Sequence, residues 1–427
     1  MSGGLLRLEE ARARMLAGLA ALPAETVPVA EALGRVLAAD AIARDTLPPW
    51  DNSAMDGFAV RATDVAGASA DAPVRLRVIG ESAAGHAPSV AVEPGTAVRV
   101  LTGAMLPDGA DAVVPVEDTD APQGVAALPD AVGVRVAAGP GAHVRRRGGD
   151  LRTGDHLLDA GTRLTPQALA VLAAAGLGEV AVHRRPRVAI LGTGDELVPP
   201  GQPLGPAQIS DSNSIALAAQ AAAAGAEVVR LGLAPDRREV ILERLRAGIA
   251  GADLVVSSGG VSVGAHDEVK EAFDEVGRMD LWRVAIQPGK PLAFGRATAP
   301  DGREVLLFGL PGNPVSSFVT FELFVRPVIR ALAGHPEAVG RRMARARLSA
   351  EAHTSLGRRA FLRVRLGADP ARPDDPSALV AELAGGQGSH VLSALARANG
   401  LAIIPEEVEV APAGALVDVL RIDEEPS

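Results

Sequence analysis

Hydrophobic and polar positions change their period several times along the 427 residues. Over 5–42, Leu8, Met15, Leu16 and Leu19 recur on one face at helical spacing with Glu9, Glu10, Arg12 and Arg14 opposite, so this stretch reads as helices. "PPWDNSAMDGFAV" (48–60) breaks that pattern. Its paired prolines force an extended backbone, Asp51, Asn52 and Ser53 can bond their own backbone, and Asp56-Gly57 is a turn signal. The stretch predicts a fixed loop that displays carboxylates. Val-rich runs follow, "VRLRVIG", "TAVRVLTGA", "ADAVVPVED" and "VGVRVAAG", punctuated by Gly, Pro and Asp, the pattern of a small β domain. In "TPQALAVLAAAG", Thr165 suits an N-cap, Pro166 the first helical position and Gly176 the stop.

From Arg187 the pattern shifts again. "RVAIL", "AEVVRLGL", "DLVVSS", "MDLWRVAI" and "EVLLFGL" are buried-type strands, several separated by Ala-rich or amphipathic helical stretches. That alternation predicts an α/β domain with a largely parallel sheet. Beyond it, "RRMARARLSAEAHT", "AFLRVRLGA", "ALVAELA", "LAIIPEEVEV" and "ALVDVLRI" read as a C-terminal β domain. The expected fold class is multidomain α/β plus β.

Composition narrows the function. Hydrophobic content of 48% with 22% charged residues describes a globular chain, and a net charge of −10 argues against nucleic acid or an anionic membrane as the main partner. With no cysteine, disulfides, thiolate nucleophiles, iron–sulfur clusters and Cys-type zinc sites are excluded. The eight histidines form no His-x-x-x-His pair, so a metal here would be a hard ion held by oxygen, such as Mg²⁺. "MSGGLLRLEEARARML" lacks the features of a signal peptide, and the charge-poor run 305–321 is interrupted by Pro-Gly-Asn-Pro; the expectation is a soluble, cytoplasmic protein. Of 42 basic residues only Lys270 and Lys290 are lysine, which marks them as sites where a compact ammonium is needed, or as chance.

Ligands of α/β sheets bind beyond the carboxyl ends of the strands. The residues after the five strands are Gly192-Thr193-Gly194-Asp195-Glu196, then Asp236, then the 259–267 loop with Gly259, Gly260, Ser262 and Asp267, then Gln287-Pro288-Gly289-Lys290, and finally Pro311-Gly312-Asn313-Pro314 with Ser316. Glycines let N–H groups approach a phosphate, and carboxylates beside phosphate call for a divalent cation between them. Together the loops predict a phosphorylated ligand bound with Mg²⁺. Each has a plainer reading: Gly-Thr-Gly as a tight turn, "SDSN" (210–213) as an N-cap before an anion site, Asp236 and Asp267 as caps, and Arg145–Arg147 as a solvated charge run. Neither the Rossmann nor the Walker glycine pattern is present.

In order along the chain, "PPWDNSAMDGFAV", "VLTGAMLPDGADAVVPVED", "RRRGGDLRTGD", "GTGDEL", "SSGGVSVGAHD", "AIQPGKPLAFG" and "GLPGNPVSSF" resemble the MoeA family, the molybdopterin molybdenumtransferases related to the gephyrin E domain. The resemblance implies insertion of molybdate, as substrate, into adenylylated molybdopterin with release of AMP, assisted by Mg²⁺, in a homodimer that makes transient contact with the molybdopterin adenylyltransferase. It implies an N-terminal domain from 1–46 and 140–183, an inserted β domain at 47–139, a MogA-like molybdopterin-binding domain at 184–336 and a C-terminal, barrel-like β domain at 337–427. By motif match, Asp56, Thr102, Glu196 and Asp267 would be catalytic, with Asp56 and Thr102 reaching into the partner's cleft. Glu196, Asp236 and Asp267 would hold the metal. Lys290, Ser316, Arg358 and Ser389 match positions linked to molybdate, and Asp150, Gly194, Ser212, Gly259, Gly260, Ser262, Pro311, Gly312 and Asn313 complete the substrate-binding set. Gln287 and Arg283 depart from the family, where lysine is frequent. A non-catalytic scaffold and a related nucleotide hydrolase are the competing readings.

Overall fold

Four parallel strands carry the centre of the molecule. In the computed structural model the strands Glu227–Ala234, Arg187–Thr193, Leu254–Ser258 and Glu304–Leu310 lie side by side in that order, all parallel. The structure describes residues 5–122, 127–259, 268–336, 340–375 and 377–423. The inner three of them, Arg187–Thr193, Leu254–Ser258 and Glu304–Leu310, are buried along nearly their whole length and almost wholly apolar, as central parallel strands must be, whereas Glu227–Ala234 is a partly exposed edge. Two more strands extend the sheet: Pro291–Thr298, antiparallel to Glu304–Leu310, and Gly277–Arg283, antiparallel to Pro291–Thr298. Two reversals restore direction, so Gly277–Arg283 points the same way as the parallel four. The carboxyl ends of all five strands named by the sequence pattern therefore share one edge. The strand within "KPLAFG" was absent from the sequence reading.

Helices Asn213–Ala223, Arg238–Gly251 and Glu268–Val276 flank this sheet, and Pro314–Thr320 follows its fourth parallel strand. Asp253, 5% exposed, pins the sheet's other end. Its carboxylate takes a two-pronged hydrogen bond from Arg184 at 2.7 and 2.8 Å and one from the Arg187 N–H at 2.8 Å. Burial by itself would raise its pKa; the Arg184 and Arg187 hydrogen bonds and the charges of Arg184 and Arg303 outweigh that and hold it below the ordinary carboxylate range.

The expectation of helices throughout 5–42 is corrected. One α-helix, Leu8–Leu16, forms, with a short 3₁₀ turn at Val29–Glu31, and the α-helix buries Leu8, Ala11 and Met15 in the core of the α/β unit. Gly18, with φ +73°, follows it closely, and Pro23, Thr26, Val27 and Pro28 favour extended backbone. Ala24–Pro28 accordingly pairs with Glu179–His183, and Ala41–Ile42 with His156–Leu158. The Pro166–Ala174 helix has the expected cap, with the Thr165 hydroxyl accepting the Ala168 N–H at 3.2 Å.

Residues 57–134 contain a five-stranded sheet in the order Ala112–Pro115, Gly57–Val60, Thr96–Val100, Val74–Ser82, Ala131–Val134. At the C-terminus, Arg359–Ala368, Leu379–Leu383, Met343–Leu348, Leu416–Arg421 and Gly400–Ile404 pair in sequence, and the last pairs back with the first, closing a barrel. Closure removes free strand edges. Ile286–Gln287 adds a short parallel strand to the barrel, joining it to the α/β edge. No described helix is long and apolar enough to cross a membrane.

Candidate functional site

The 48–60 loop is fixed as its composition demands. Asn52–Ser53 pairs with Val144–Arg145, and Asp51 accepts the Arg147 N–H and the Arg146 guanidinium, each at 2.7 Å. Those contacts, led by the Arg147 N–H, hold the Asp51 carboxyl below its usual range. Arg146 and Arg147, exposed as a solvated run would be, also brace the loop.

Asp56 stands at the exposed tip. Its Oδ1 accepts both the backbone N–H of Thr102, at 2.7 Å, and the Thr102 hydroxyl, at 2.8 Å. These bonds, the backbone one first, pull its pKa down, so it is an ionised carboxylate at neutral pH. Gly57 is required next to it, because a Cβ there would fall 2.0 Å from the Val114 carbonyl oxygen. Asp56 borders a cleft of about 360 Å³ with Glu81, Arg99, Leu101 and Glu117. The apolar side chains of Trp50, Met55 and Leu101 are exposed close by in the chain.

The second group of residues lies along the carboxyl edge of the α/β sheet. Gly194 donates to Ala234, and with φ +148° it leaves room for the Glu196 carboxylate, which would lie 2.5 Å from a Cβ at that position. Asp195 accepts the N–H of Asp236 at 3.0 Å. Desolvation raises the Asp236 pKa; a backbone hydrogen bond from Asp195 opposes this, and the charges of Asp195 and Glu196 reinforce it. Asp236 is therefore beside two other acids. Gly259 (φ +102°) lies against Thr193, where a Cβ would sit 2.7 Å from the Thr193 carbonyl, and its N–H donates to Leu310 at 3.1 Å.

Asn213 ties three of these loops together. Its Nδ2 donates to Ser258 Oγ and to the Gly312 carbonyl, both at 2.7 Å. A carbonyl can only accept, so the Gly312 contact fixes the orientation of the amide. The N-cap expectation for "SDSN" shifts by residue: Asp211 accepts the Ser214 N–H at 3.0 Å, while Ser212 makes no side-chain cap bond. Ser212 and the exposed Asn313 are thus left facing the loops without a capping duty.

The Gln287–Lys290 turn packs on the helix that begins at Pro314. A Cβ on Gly289 would lie 2.4 Å from Thr320 Oγ1 and 3.5 Å from the Ser316 carbonyl. Lys290 is half-buried, and its ammonium has no ion pair among the described residues. Gln287 has a structural duty: its Oε1 accepts the Ser355 N–H at 2.9 Å. Ser355 in turn accepts the N–H of Arg358, a half-buried residue, and the Ser389 carbonyl accepts the Val315 N–H at 3.1 Å. The barrel loops bearing Arg358 and Ser389 are thereby linked to the α/β edge that bears Lys290 and Ser316.

Gly194, Glu196, Ser212, Asp236, Gly259, Lys290, Pro311, Gly312, Asn313, Ser316, Arg358 and Ser389 belong to this one region. Asp56, Thr102 and Asp150 do not join it: no hydrogen bond, ion pair or strand pairing among the described residues connects them to it. Gly260, Ser262 and Asp267 lie outside the described residues. The sequence reading missed Asn213, whose place at the first helical position hid it behind the cap signal, and Asp195, named only as part of a turn. Among the described residues the only three-residue cluster of potential metal-ligating groups within 4.8 Å is Asp40, His156 and Asp159, exposed and in another part of the molecule.

Comparison with known proteins agrees with this architecture. Residues 6–176 match the model of the MoeA N-terminal region (domains I and II), 189–331 that of a probable molybdopterin binding domain, and 345–422 that of the MoeA C-terminal region (domain IV). The chain is 42% identical over 403 residues to "Molybdopterin molybdenumtransferase 2" of Mycobacterium tuberculosis, covering 92% of this chain and 94% of that one. It is 35% identical to the molybdopterin molybdenumtransferase of Haemophilus influenzae, covering 97% and 98%. A crystal structure titled as the molybdopterin biosynthesis MoeA protein of a Pyrococcus species superposes with a TM-score of 0.78 at 35% identity, over 98% of this chain and 99% of that one. Relatives this similar over nearly the whole length, with a solved structure that superposes over nearly all of the chain, settle the lineage: the chain belongs to the MoeA family.

Proposed function

We propose that this protein is a molybdopterin molybdenumtransferase, which inserts molybdate into the dithiolene of adenylylated molybdopterin with release of AMP. The observation that carries the reading is the convergence of glycine turns, carboxylates and Lys290 on one sheet edge, with Arg358 and Ser389 linked to it from the barrel. Gly312 is exposed and leaves backbone open to a nucleotide phosphate, while Gly194 and Gly259 make the close turns that shape the edge. Lys290, Arg358, Ser316 and Ser389 supply the cationic and hydroxyl donors that a tetrahedral oxyanion needs.

Glu196 and Asp236, with Asp267, which lies outside the described residues, would hold Mg²⁺. They fit it as hard oxygen donors on a rim where desolvation, and then the charges of Asp195 and Glu196, raise the Asp236 pKa, and Mg²⁺ characteristically takes only one or two carboxylates beside phosphate and water. Bound there, the ion would neutralise charge on the phosphoanhydride-type oxygens. Asp56, ionised and oriented by Thr102, would orient the water or substrate group as AMP departs.

Asp56 and Thr102 would act in a homodimer, on the edge of the partner's α/β sheet. Their separation from the edge of their own chain and the exposed Trp50, Met55 and Leu101 beside them support this. The same reading puts the enzyme in the cytoplasm, receiving its nucleotide from the adenylyltransferase. The test is AMP release from adenylylated molybdopterin with Mg²⁺, with and without molybdate. Molybdate-dependent AMP release accompanied by metal-bearing cofactor is expected; nucleotide binding without turnover would reject the transferase in favour of a scaffold.

A further inference from the structure

Arg363 is the largest fully buried side chain among the described residues, at 1% exposure. It lies in the barrel strand Arg359–Ala368, where alternate residues face opposite sides. Ala360, Leu362 and Val364 fill the barrel core, whereas Phe361 packs into the core of the α/β unit. Two residues beyond Phe361, Arg363 shares its face and points out of the barrel. Its Nη2 donates to the carbonyls of Gly386, at 3.2 Å, and Gly388, at 3.1 Å. Its Nε has no acceptor, and no described carboxylate pairs with it. Burial pushes its pKa down to about 10, so the group still carries its charge at neutral pH.

An uncompensated buried cation is costly, and a well-packed apolar side chain serves stability at least as well. Nor is the cation needed to hold the 385–389 loop. Gln387 already does so, accepting the Arg363 N–H at 2.9 Å and donating to the carbonyls of Arg363, at 3.1 Å, and Gly385, at 2.9 Å. What the guanidinium adds is direction. In a trans peptide the carbonyl and the following N–H point opposite ways. With the Gly386 and Gly388 carbonyls turned to Arg363, the N–H groups of Gln387 and Ser389 turn away from it, and neither has an acceptor among the described residues. Ser389 is bonded to Val315, beside Ser316.

We propose that Arg363 is a positioning residue for the oxyanion substrate: from behind the 385–389 loop it aims the Gln387 and Ser389 N–H groups at the anion and leaves its own charge to be balanced by it. This deepens the molybdate reading and rests on it. The guanidinium acts through two polarised peptides, not by contact, and the ligand class it serves is a tetrahedral dianion.

The experiment is a calorimetric titration of the whole protein with molybdate, alongside a separate titration with AMP, for the wild type, Arg363→Met, Arg363→Gln, Ser389→Pro and Ser389→Ala. Arg363→Met and Arg363→Gln are expected to weaken molybdate binding about tenfold or more, leave AMP affinity unchanged and keep or raise Tm. A merely structural arginine would instead lower Tm and leave molybdate affinity alone. Ser389→Pro, read against Ser389→Ala, which also lacks the hydroxyl but keeps the N–H, removes one of the two N–H groups without touching the buried charge, and the pair tests the same idea if the Arg363 variants do not fold. Wild-type molybdate affinity in a folded Arg363 variant, or equal affinity in Ser389→Pro and Ser389→Ala, overturns the proposal. Failure of the wild type to bind molybdate, with AMP still bound, would strike the substrate reading itself.

Discussion

Asp56 and Asp236 are carboxylates driven in opposite directions by what surrounds them. Asp56 is lowered by two Thr102 donors, while Asp236 is raised by desolvation and by Asp195 and Glu196. Asp56→Asn keeps an acceptor for both Thr102 bonds, so Tm should stay close to that of the wild type while AMP release falls by about two orders of magnitude or more. Loss of folding in that variant would make Asp56 structural. For Asp236 the folded pKa lies above the unfolded one. Its favourable contribution is therefore complete below the unfolded carboxylate pKa and is lost as pH rises through the folded value. Asp236→Asn should then raise Tm at pH 7 in EDTA and have little effect near pH 3, while Mg²⁺ should stabilise the wild type more than the variant. A variant less stable than the wild type at pH 7 in EDTA would contradict this account. The motifs made Asp56 and Asp236 legible; their opposed pKa shifts were not, because those depend on Thr102 and Asp195, 46 and 41 residues away in the chain.

Among the elements, strong period gave correct readings and weak period did not. The central parallel strands were legible because burial on both faces leaves them nearly all apolar, as in "RVAIL" and "DLVVSS". Ala24–Pro28 was hidden by an Ala-rich neighbourhood that imitates helix, and Pro291–Thr298 by the proline at its start and the glycine within it. Barrel closure was not legible in detail, since it depends on Arg359–Ala368 pairing with two strands that the sequence cannot order. The anchor of the central sheet was missed for the same reason. Asp253 is an unremarkable acid in "GADL" until Arg184, Arg187 and Arg303 meet around it. Asp253→Ala leaves the Arg184 guanidinium and the Arg187 N–H without their partner and should destabilise the α/β unit by about 3–5 kcal/mol. Its folded pKa is lowered, so this stabilisation is present above the unfolded carboxylate pKa and lost as pH falls through the folded value. Urea unfolding of both proteins from pH 7 to pH 3 should show the difference shrinking with acid; a constant difference would mean packing, not charge, is what Asp253 supplies.

At the scale of the whole molecule, the two groups of site residues lie in different parts of one chain, and the proposed homodimer is what would bring them together. That arrangement has a consequence for mixed assemblies. Take Asp56→Asn, defective in the inserted region, and Lys290→Ala, defective on the α/β edge; each alone should be inactive. If a working site joins Asp56 of one protomer to Lys290 of the other, a mixed dimer holds one site with both defects and one with neither. Equal mixing makes half of the dimers mixed, so unfolding and refolding the two variants together should restore about one quarter of wild-type AMP release. If both residues serve a site within one chain, every site in the mixture carries a defect and no activity returns. The measurement thus reads the geometry of the site directly from a rate. Because Asp56 is exposed and Lys290 has no ion pair among the described residues, neither substitution removes a contact that holds the fold together, so an inactive mixture would count against the shared site and not against the folding of its parts.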